Sequence, residues 1–321
     1  MPNAIDLIST IAHSPFRSFW PKGWDLQRIR ECNQVSKADA LRRQTFWHRD
    51  FKPSAVANVL AMDRAMGLEI ARVIREAHVA AKPLAMILPV GPMGMYRFAV
   101  AELKRTRTPC AHVHTFNMDE WSDHVGRTIP ASHPSSFENA MNQAFFGPLG
   151  KLTVPVAQRN FATKRNLPTY AKKITTLRAS GAKLITVYGI GRVCHIAFWE
   201  PHLAEGRTEK AWLSETHKIA VALHPLTMEQ NAITSFNSNM TDVPAFANTV
   251  GPGLFLTSDW CIGGCDGAYP ERGAQWQGQS VAVTLHHGPT PWLTSTYMPT
   301  LPGRLFILKP LLPPHGADAL H

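Results

Sequence analysis

The sequence contains no long apolar run and no dense cluster of basic residues. No stretch approaches the roughly 20 consecutive apolar residues that a membrane-crossing helix needs, and Asp6 interrupts the N-terminal segment where a secretory leader would be apolar. The formal net charge is +10, yet no run of five or more Lys or Arg residues occurs. Charge scattered in this way is typical of a generic basic surface, although it permits small anionic ligands. We therefore predict a cytoplasmic protein with no membrane or nucleic-acid partner.

Cysteine is also scarce, with five residues that are mostly far apart. An odd number of scattered cysteines favours reduced thiols over a disulfide framework. Cys261 and Cys265, with His286 and His287 downstream, could be interpreted as metal ligands, but the spacing lacks a second ligand pair. A glycine-rich turn beside a strand is the favoured interpretation of residues 261–265. We expect no metal and no organic cofactor.

The composition is that of a globular protein, since 45% of the 321 residues are hydrophobic and 17% are charged. This length suits one large α/β domain with additions, or two small domains. Residues 1–52 are rich in aromatic residues, so we predict an N-terminal extension that packs on the core rather than a disordered segment. Residues 53–310 form the predicted α/β domain, and residues 311–321 a frayed C-terminal tail.

Apolar runs and helical periodicities alternate along the chain. A three- and four-residue apolar spacing predicts a helix from an N-cap at Ser54 to about Ala81. A capping box of Ser135 and Glu138 predicts the start of another helix, which extends to residue 146. Further helices are predicted at 24–32, 95–104 and 169–179. Strands are predicted at 84–90, 111–118, 182–189, 253–257, 280–286 and 304–308. This alternation predicts an α/β fold, a doubly wound, mostly parallel, Rossmann-like sheet with helices on both faces.

Acid/base residues follow two of these predicted strands. Asp119 and Glu120 come directly after residues 111–118, and His195 and Glu200 follow residues 182–189. Open α/β sheets build their sites where strands end in this way. A solvated acidic turn and a core histidine are the alternatives, but two such strands together favour a functional site.

Four separated motifs resemble the glucosamine-6-phosphate deaminase (isomerase) family, over about residues 84–257. They are TFNMDEW at 115–121, HPSSF at 133–137, GIGRVCHIAFWEP at 189–201, and DVP with TVGPG at 242–244 and 249–253. The 6-phosphogluconolactonases belong to the same wider superfamily. Their pattern favours an arginine after the Asp–Glu pair and a G-H-T-A-S continuation, where this chain has Trp121 and residues 195–198 read HIAF.

The resemblance implies an aldose–ketose isomerisation of a sugar, with deamination of an amino sugar. It implies that Asp119 is the proton-transferring base, that His195 is the ring-opening acid/base, and that Glu200 orients or polarises His195. A sugar or sugar phosphate is the expected partner, and a homo-oligomer is compatible with the resemblance. The predicted substrate-binding residues are Gly91, Pro92, Met93, Asn117, Glu120, Gly189, Gly191 and Arg192.

Departures from the family pattern concern the histidine and the phosphate. Two residues before the histidine, the family has an aspartate and this chain has Val193. Cys194 stands where the family has a glycine, and Trp199 stands where it has an asparagine. The loop at residues 88–94 has no Ser or Thr and includes a proline, Thr234 stands where the family has an arginine, and no lysine occurs in 261–267. We expect weak phosphate binding, unless Arg192 compensates. A catalytically weakened sugar-binding or regulatory protein, or a 6-phosphogluconolactonase-like hydrolase, are the alternative functions.

Overall fold

The computed structural model describes residues 6–269, 271 and 274–315. Strands in these residues are β1 (Phe51–Val56), β2 (Leu84–Leu88), β3 (Val113–Asn117), β4 (Asp119–Ser122), β5 (Arg159–Asn160), β6 (Lys183–Gly189), β7 (His217–Ala222), β8 (Phe246–Val250), β9 (Trp260–Cys265), β10 (Ala268–Tyr269), β11 (Ala274–Gln275) and β12 (Gly303–Leu308). The α-helices are α1 (Leu7–Ile11), α2 (Leu26–Asn33), α3 (Val59–Val79), α4 (Met95–Arg105), α5 (Phe137–Met141), α6 (Gly147–Leu149), α7 (Tyr170–Ala179), α8 (Glu209–Ser214), α9 (Pro225–Ser235), α10 (Pro252–Phe255) and α11 (Gly278–His286).

A seven-stranded parallel sheet forms the centre of the molecule. Its strand order is β1-β12-β9-β6-β2-β3-β5, and each pairing between neighbours is parallel. Every residue of β2 is buried, as expected for a parallel strand covered on both faces. Helix α3 contacts β1, β9 and β12, while α7 contacts β2 and β6. The predicted α/β fold with a mostly parallel sheet is confirmed.

The strand order reverses between β2 and β6. From β2 the chain proceeds to β3 and β5 on one side, and then returns to β6 on the other side of β2. The loops that follow β2 and β6 therefore diverge, which opens a crevice at the carboxyl ends of the strands. The two loops are still close where they begin, because a Cβ added at Gly189, the last residue of β6, would lie 3.5 Å from the carbonyl oxygen of Gly91.

A second, antiparallel sheet of β4, β8 and β7 stands beside this crevice. Met118 is the residue where the chain passes from β3 into it. Its backbone N–H donates to the carbonyl of Leu88 in β2 at 2.9 Å, and its carbonyl accepts from Val250 at 2.9 Å. Asp119 is consequently the first residue of the second sheet, where it pairs with Thr249.

Several local predictions are wrong. Ser54 lies inside β1, where it pairs with Phe306, and α3 is instead capped by Asn58, whose side chain accepts from Ala61 at 2.9 Å. Ser136 caps α5, rather than Ser135. The predicted strands 253–257 and 280–286 are helical, as α10 and α11. Short apolar runs do not distinguish a buried helix from a buried strand.

The segment 261–265, interpreted from sequence as a turn, is the interior strand β9. It runs between β6 and β12, and its glycines leave room for side chains from neighbouring elements. A Cβ at Gly263 would lie 2.4 Å from the Tyr188 ring, and one at Gly264 would lie 2.2 Å from Met66 Sδ. The predicted elements at 24–32, 84–90, 95–104, 111–118, 169–179, 182–189 and 304–308 are confirmed with small shifts at their ends.

Part of the N-terminal segment packs under the crevice. Trp24, Ile29 and Cys32 form an apolar cluster with Val193 and Cys194 and with residues of α11, and the Trp24 indole N–H donates to the carbonyl of residue 292 at 3.0 Å. The proposed boundaries at residues 52 and 310 stay predictions, and residues 316–321 of the predicted tail lie outside the described residues. In the described ranges, no helix combines the length and the apolar character that crossing a bilayer requires.

Candidate active site

A cleft of about 930 Å³ lies over the carboxyl ends of the central strands. Asp119 and His195 both line it, so the structure brings together the two acid/base residues that follow separate strands. The predicted substrate-binding residues that also line the cleft are Gly91, Pro92, Met93, Gly189 and Gly191. This is the crevice that the reversal of strand order opens.

Asp119 is held rigidly at the junction of the two sheets. Its backbone is fixed by pairing with Thr249, and only 7% of the residue is exposed. Burial, and secondarily the charge of Glu120, raises the pKa of the Asp119 carboxyl well above its usual range. A carboxyl group with a raised pKa is closer to the acidity that suits proton transfer near neutral pH.

His195 is presented by a tight loop after β6. The N–H of Gly191 donates to the His195 carbonyl at 3.0 Å, and the N–H of Cys194 donates to the Gly191 carbonyl at 3.0 Å. The imidazole lies directly on Gly191, where an added Cβ would be 1.8 Å from Nε2. Cys194 and Ala197 have positive φ angles of 59° and 54°, a conformation that favours glycine. The loop thus holds backbone strain beside a cleft, as functional loops often do.

Two side chains approach the inner nitrogen of His195. Nδ1 lies 3.2 Å from Thr227 Oγ1 and 3.7 Å from Glu200 Oε1. Glu200 is fully buried behind the imidazole and does not line the cleft; neither carboxylate oxygen has a hydrogen-bond partner among the described residues. Val193, in place of the family's aspartate, is buried in the apolar cluster with Trp24. A threonine from α9 therefore occupies a position next to the imidazole.

Three predicted binding residues do not line the cleft. Glu120 accepts hydrogen bonds from Ser136 Oγ at 3.0 Å and from the N–H groups of residues 137 and 138 at 3.1 and 3.0 Å, so it anchors the start of α5. Arg192 lies with its guanidinium 3.4 Å from Glu229, and donates to the carbonyl of residue 276 at 3.2 Å. Asn117 is buried in β3. Glu120 therefore contacts the start of α5 rather than the cleft. Arg192 pairs with Glu229, which does not line the cleft.

Carboxylates dominate the charge of the cleft. Asp119, Asp266 and Glu271 line it together with His195, whereas no Lys or Arg lines it among the residues that the structure describes. Asp266 follows β9 directly; burial chiefly, with a smaller contribution from Asp63, raises its pKa to about 6. Sequence reasoning missed Asp266 because residues 261–265, which precede it, were interpreted as a turn rather than as a strand that ends at the cleft. It missed Thr227 because 32 residues separate it from His195.

One wall of the cleft is aromatic. The Trp121 ring lies 4.8 Å from that of Phe198 and 5.1 Å from that of Phe137, between ring centroids, and Phe236 completes the wall. An apolar, aromatic surface with a few polar groups is the usual lining of a small-molecule site. No group of three or more metal-ligating side chains occurs in the described parts of the chain.

The sequence is similar to curated glucosamine-6-phosphate deaminases. It is 32% identical to that of Pectobacterium atrosepticum over 186 residues, which cover 56% of this chain and 63% of the relative. It is also 32% identical to that of Borrelia garinii subsp. bavariensis over 183 residues, with coverages of 55% and 61%. The chain therefore spans less than two thirds of the length of these relatives. No protein-family model matches it.

Solved structures of two kinds share the fold. A monomeric glucosamine-6-phosphate deaminase superposes with a TM-score of 0.65 at 20% identity, covering 81% of this chain and 98% of that one. The 6-phosphogluconolactonase from Trypanosoma cruzi superposes with a TM-score of 0.54 at 17% identity, covering 81% and 95%. These identities establish the fold alone. With the sequence similarity, they confirm the resemblance that the motifs indicate.

Proposed function

We propose that the protein is a cofactor-independent enzyme that isomerises an aldose to a ketose and releases ammonia when the substrate is an amino sugar. The supporting observation is that Asp119 and His195 converge from different strands on one cleft at the sheet's switch point. The sequence similarity to deaminases supports the same reaction class.

Asp119 is the proposed proton carrier. In an open-chain sugar, removal of the proton on C2 creates a C1=C2 double bond while the C1 carbonyl π bond breaks and its oxygen takes up a proton, which gives an enediol. The C2 hydroxyl then loses its proton to form the carbonyl at C2, as the proton carried by Asp119 returns to C1. With an amino group on C2, the product is an imine, which water hydrolyses to the ketose and ammonia. A buried carboxyl whose pKa is raised suits both halves of this transfer.

His195 is the proposed acid/base for ring opening. This step moves one proton from the C1 hydroxyl and delivers another to the ring oxygen, which an imidazole can do near pH 7. Glu200, 3.7 Å from Nδ1, is proposed to polarise the imidazole from behind without touching the substrate. The neutral glycines of both loops leave space for the sugar over the strand ends.

Hydrogen exchange at C2 tests this function. The test substrates are glucosamine, glucose and their 6-phosphates, each incubated with the wild-type protein in D₂O and monitored by NMR. At least one of them should incorporate deuterium at C2 or be converted to a ketose. Asp119→Asn should lower the rate by roughly 10²–10⁴-fold, since an amide cannot accept the proton, while circular dichroism stays unchanged. No exchange on any sugar, or full exchange by the variant, would overturn the proposal.

A catalytically weakened sugar-binding protein is the second candidate. Val193 packs into the apolar cluster instead of supporting His195, and this favours slow chemistry. Sugar binding by calorimetry without C2 exchange would identify it. A lactonase assay in the same screen tests for 6-phosphogluconolactonase-like hydrolysis. The solved structure that superposes with a TM-score of 0.54 is a 6-phosphogluconolactonase.

A further inference from the structure

The cleft has two chemically different ends, set by the strand order. Asp119 follows β3, whereas Asp266 follows β9, and β2 and β6 lie between them. Three strand spacings of about 4.8 Å place the two carboxylates roughly 14 Å apart. A sugar whose reacting carbons lie near Asp119 therefore extends its opposite end toward Asp266.

The described lining of the cleft lacks the features that hold a phosphate. The loop after β2 contributes Gly91, Pro92 and Met93, so it offers no side-chain hydroxyl, and the proline lacks an N–H donor. The α9 side contributes the uncharged Gln230 and Thr234. No Lys or Arg lines the cleft in the described parts of the chain.

The N-terminus of α4, which follows this loop, has an anion of its own. Asp63 from α3 lies against the α4 N-cap residue, since a Cβ added at Gly94 would be 1.9 Å from Asp63 Oδ2. This carboxylate is only 4% exposed, and the Arg97 guanidinium lies 3.6 Å from it. Helix N-termini favour anions, so the buried carboxylate offsets the positive end of α4 before any ligand binds.

We propose that the substrate is an unphosphorylated sugar or amino sugar, and that Asp266 accepts hydrogen bonds from the hydroxyl groups at its end remote from Asp119. This rests on the proposed function and specifies its substrate class. A hydroxyl donates readily to a carboxylate. A phosphate dianion would instead face Asp266 and Glu271 in a partly buried site without a described cation, and an unpaired buried charge is costly.

The other charges near the cleft do not alter this argument. Arg192 pairs with Glu229, and Arg97 faces Asp63. The aromatic wall of Trp121, Phe137, Phe198 and Phe236 supplies an apolar surface for the face of a sugar ring, whether or not the sugar carries a phosphate. Substrate selection is therefore assigned to the β9 end of the cleft, away from the reacting groups.

Matched pairs of sugars test the proposal. Glucosamine with glucosamine 6-phosphate, and glucose with glucose 6-phosphate, are compared by calorimetric affinity and by C2 exchange. The wild-type protein should favour the unphosphorylated member by about tenfold or more, as expected for like charges placed together. Inorganic phosphate should not compete with the neutral sugar.

Charge reversal at Asp266 gives the sharper comparison. Asp266→Asn should weaken binding of the neutral sugar severalfold, because it replaces a charged acceptor by a neutral one of the same size. Asp266→Lys should shift the preference toward the phosphorylated member by about tenfold or more. Glu205→Lys changes the net charge equally but lies at the exposed surface, where Glu205 pairs with Lys22; this control should leave the preference unchanged.

Several results would overturn the proposal, and they are distinguishable from failure of the proposed function. If turnover depends on Asp119 but is faster with phosphosugars, the proposed reaction is supported and the proposed unphosphorylated substrate is rejected. Absence of both binding and exchange with all four sugars would reject both.

Discussion

Thr227 is a residue whose role no motif indicates. Its hydroxyl lies 3.2 Å from His195 Nδ1, and both residues are buried. The partner of one imidazole nitrogen decides which tautomer the other nitrogen presents. We infer that Thr227 positions His195, in the way that the family's missing carboxylate would be expected to do.

Thr227→Val should therefore lower kcat by roughly 5- to 100-fold, the equivalent of about 1–3 kcal/mol for a lost buried hydrogen bond. KM should change little, because Thr227 does not line the cleft. Thr227→Ser keeps the hydroxyl and should retain most of the activity. A larger loss in Thr227→Ser than in Thr227→Val would show that the methyl group of Thr227, through packing, matters more than its hydroxyl.

Asp266 illustrates the stability cost of a buried carboxylate in a site. Its pKa is raised from 3.8 to about 6, chiefly by burial, so the folded protein holds this proton more tightly than the unfolded chain does. This group's contribution to stability is therefore lost as the pH rises from about 4 through about 6. Above that window the difference corresponds to at most about 3 kcal/mol.

Asp266→Asn should consequently be more stable than the wild type at pH 7.5, by about 1–3 kcal/mol, and the advantage should shrink toward pH 4. Urea unfolding at a series of pH values, without ligand, measures the difference between the two proteins. Subtracting one from the other removes the titration of the remaining groups. A pH-independent difference would mean that Asp266 does not titrate in this range.

At the scale of elements, α5 depends on a single carboxylate from β4. Glu120 Oε1 and Oε2 together accept four hydrogen bonds, from Ser136 Oγ and from the N–H groups of residues 121, 137 and 138. Carboxylates at helix N-termini satisfy N–H groups that the helix cannot pair. Since Ser136 and Phe137 line the cleft, this contact sets the shape of its wall.

Glu120→Gln should destabilise the protein by roughly 2–4 kcal/mol. The NH₂ group of the glutamine would face N–H and O–H donors, whose hydrogen bonds the carboxylate accepts in the wild type. The free energy of unfolding in urea measures this loss. Glu138→Gln, a neighbouring and half-exposed position, serves as the control and should cost less than about 1 kcal/mol. A variant with normal stability but a raised KM would instead support the substrate-binding role that the sequence predicts for Glu120.

At the scale of the whole molecule, the N-terminal segment supports the loop that carries His195. Trp24, Ile29 and Cys32 share one apolar cluster with Val193 and Cys194, which immediately precede the histidine. Burial raises the pKa of the Cys194 thiol to about 12, so the thiol is unreactive while the cluster is intact. Helix α2 packs against α11 and completes this arrangement.

Trp24→Ala should destabilise the protein by about 3 kcal/mol, as large-to-small core substitutions do, and should increase the rate at which a thiol reagent labels Cys194. Mass spectrometry of the labelled peptide identifies the cysteine. Phe16→Ala, in the same segment but at a position 55% exposed, should change neither property. Unchanged labelling in Trp24→Ala would show that the N-terminal segment does not protect the His195 loop.

Local signals determined much of this protein. Apolar runs of seven or eight residues, at 84–90, 111–118 and 182–189, marked the strands β2, β3 and β6, because strands of a parallel sheet are buried on both faces. The same signals placed Asp119 and His195 at strand ends, where the sheet geometry makes a site. The motifs around them indicated a relationship that sequence and fold comparisons confirm.

Only the tertiary structure decided which groups meet. The pairing of β1 with β12 overrode the helix start expected at Ser54, and the contact between Thr227 and His195 spans 32 residues. Likewise, the position of Asp266 in the cleft depends on β9 lying next to β6. Strand order and side-chain contacts of this kind arise from packing between segments distant in the chain, and a local pattern of residue types cannot specify them.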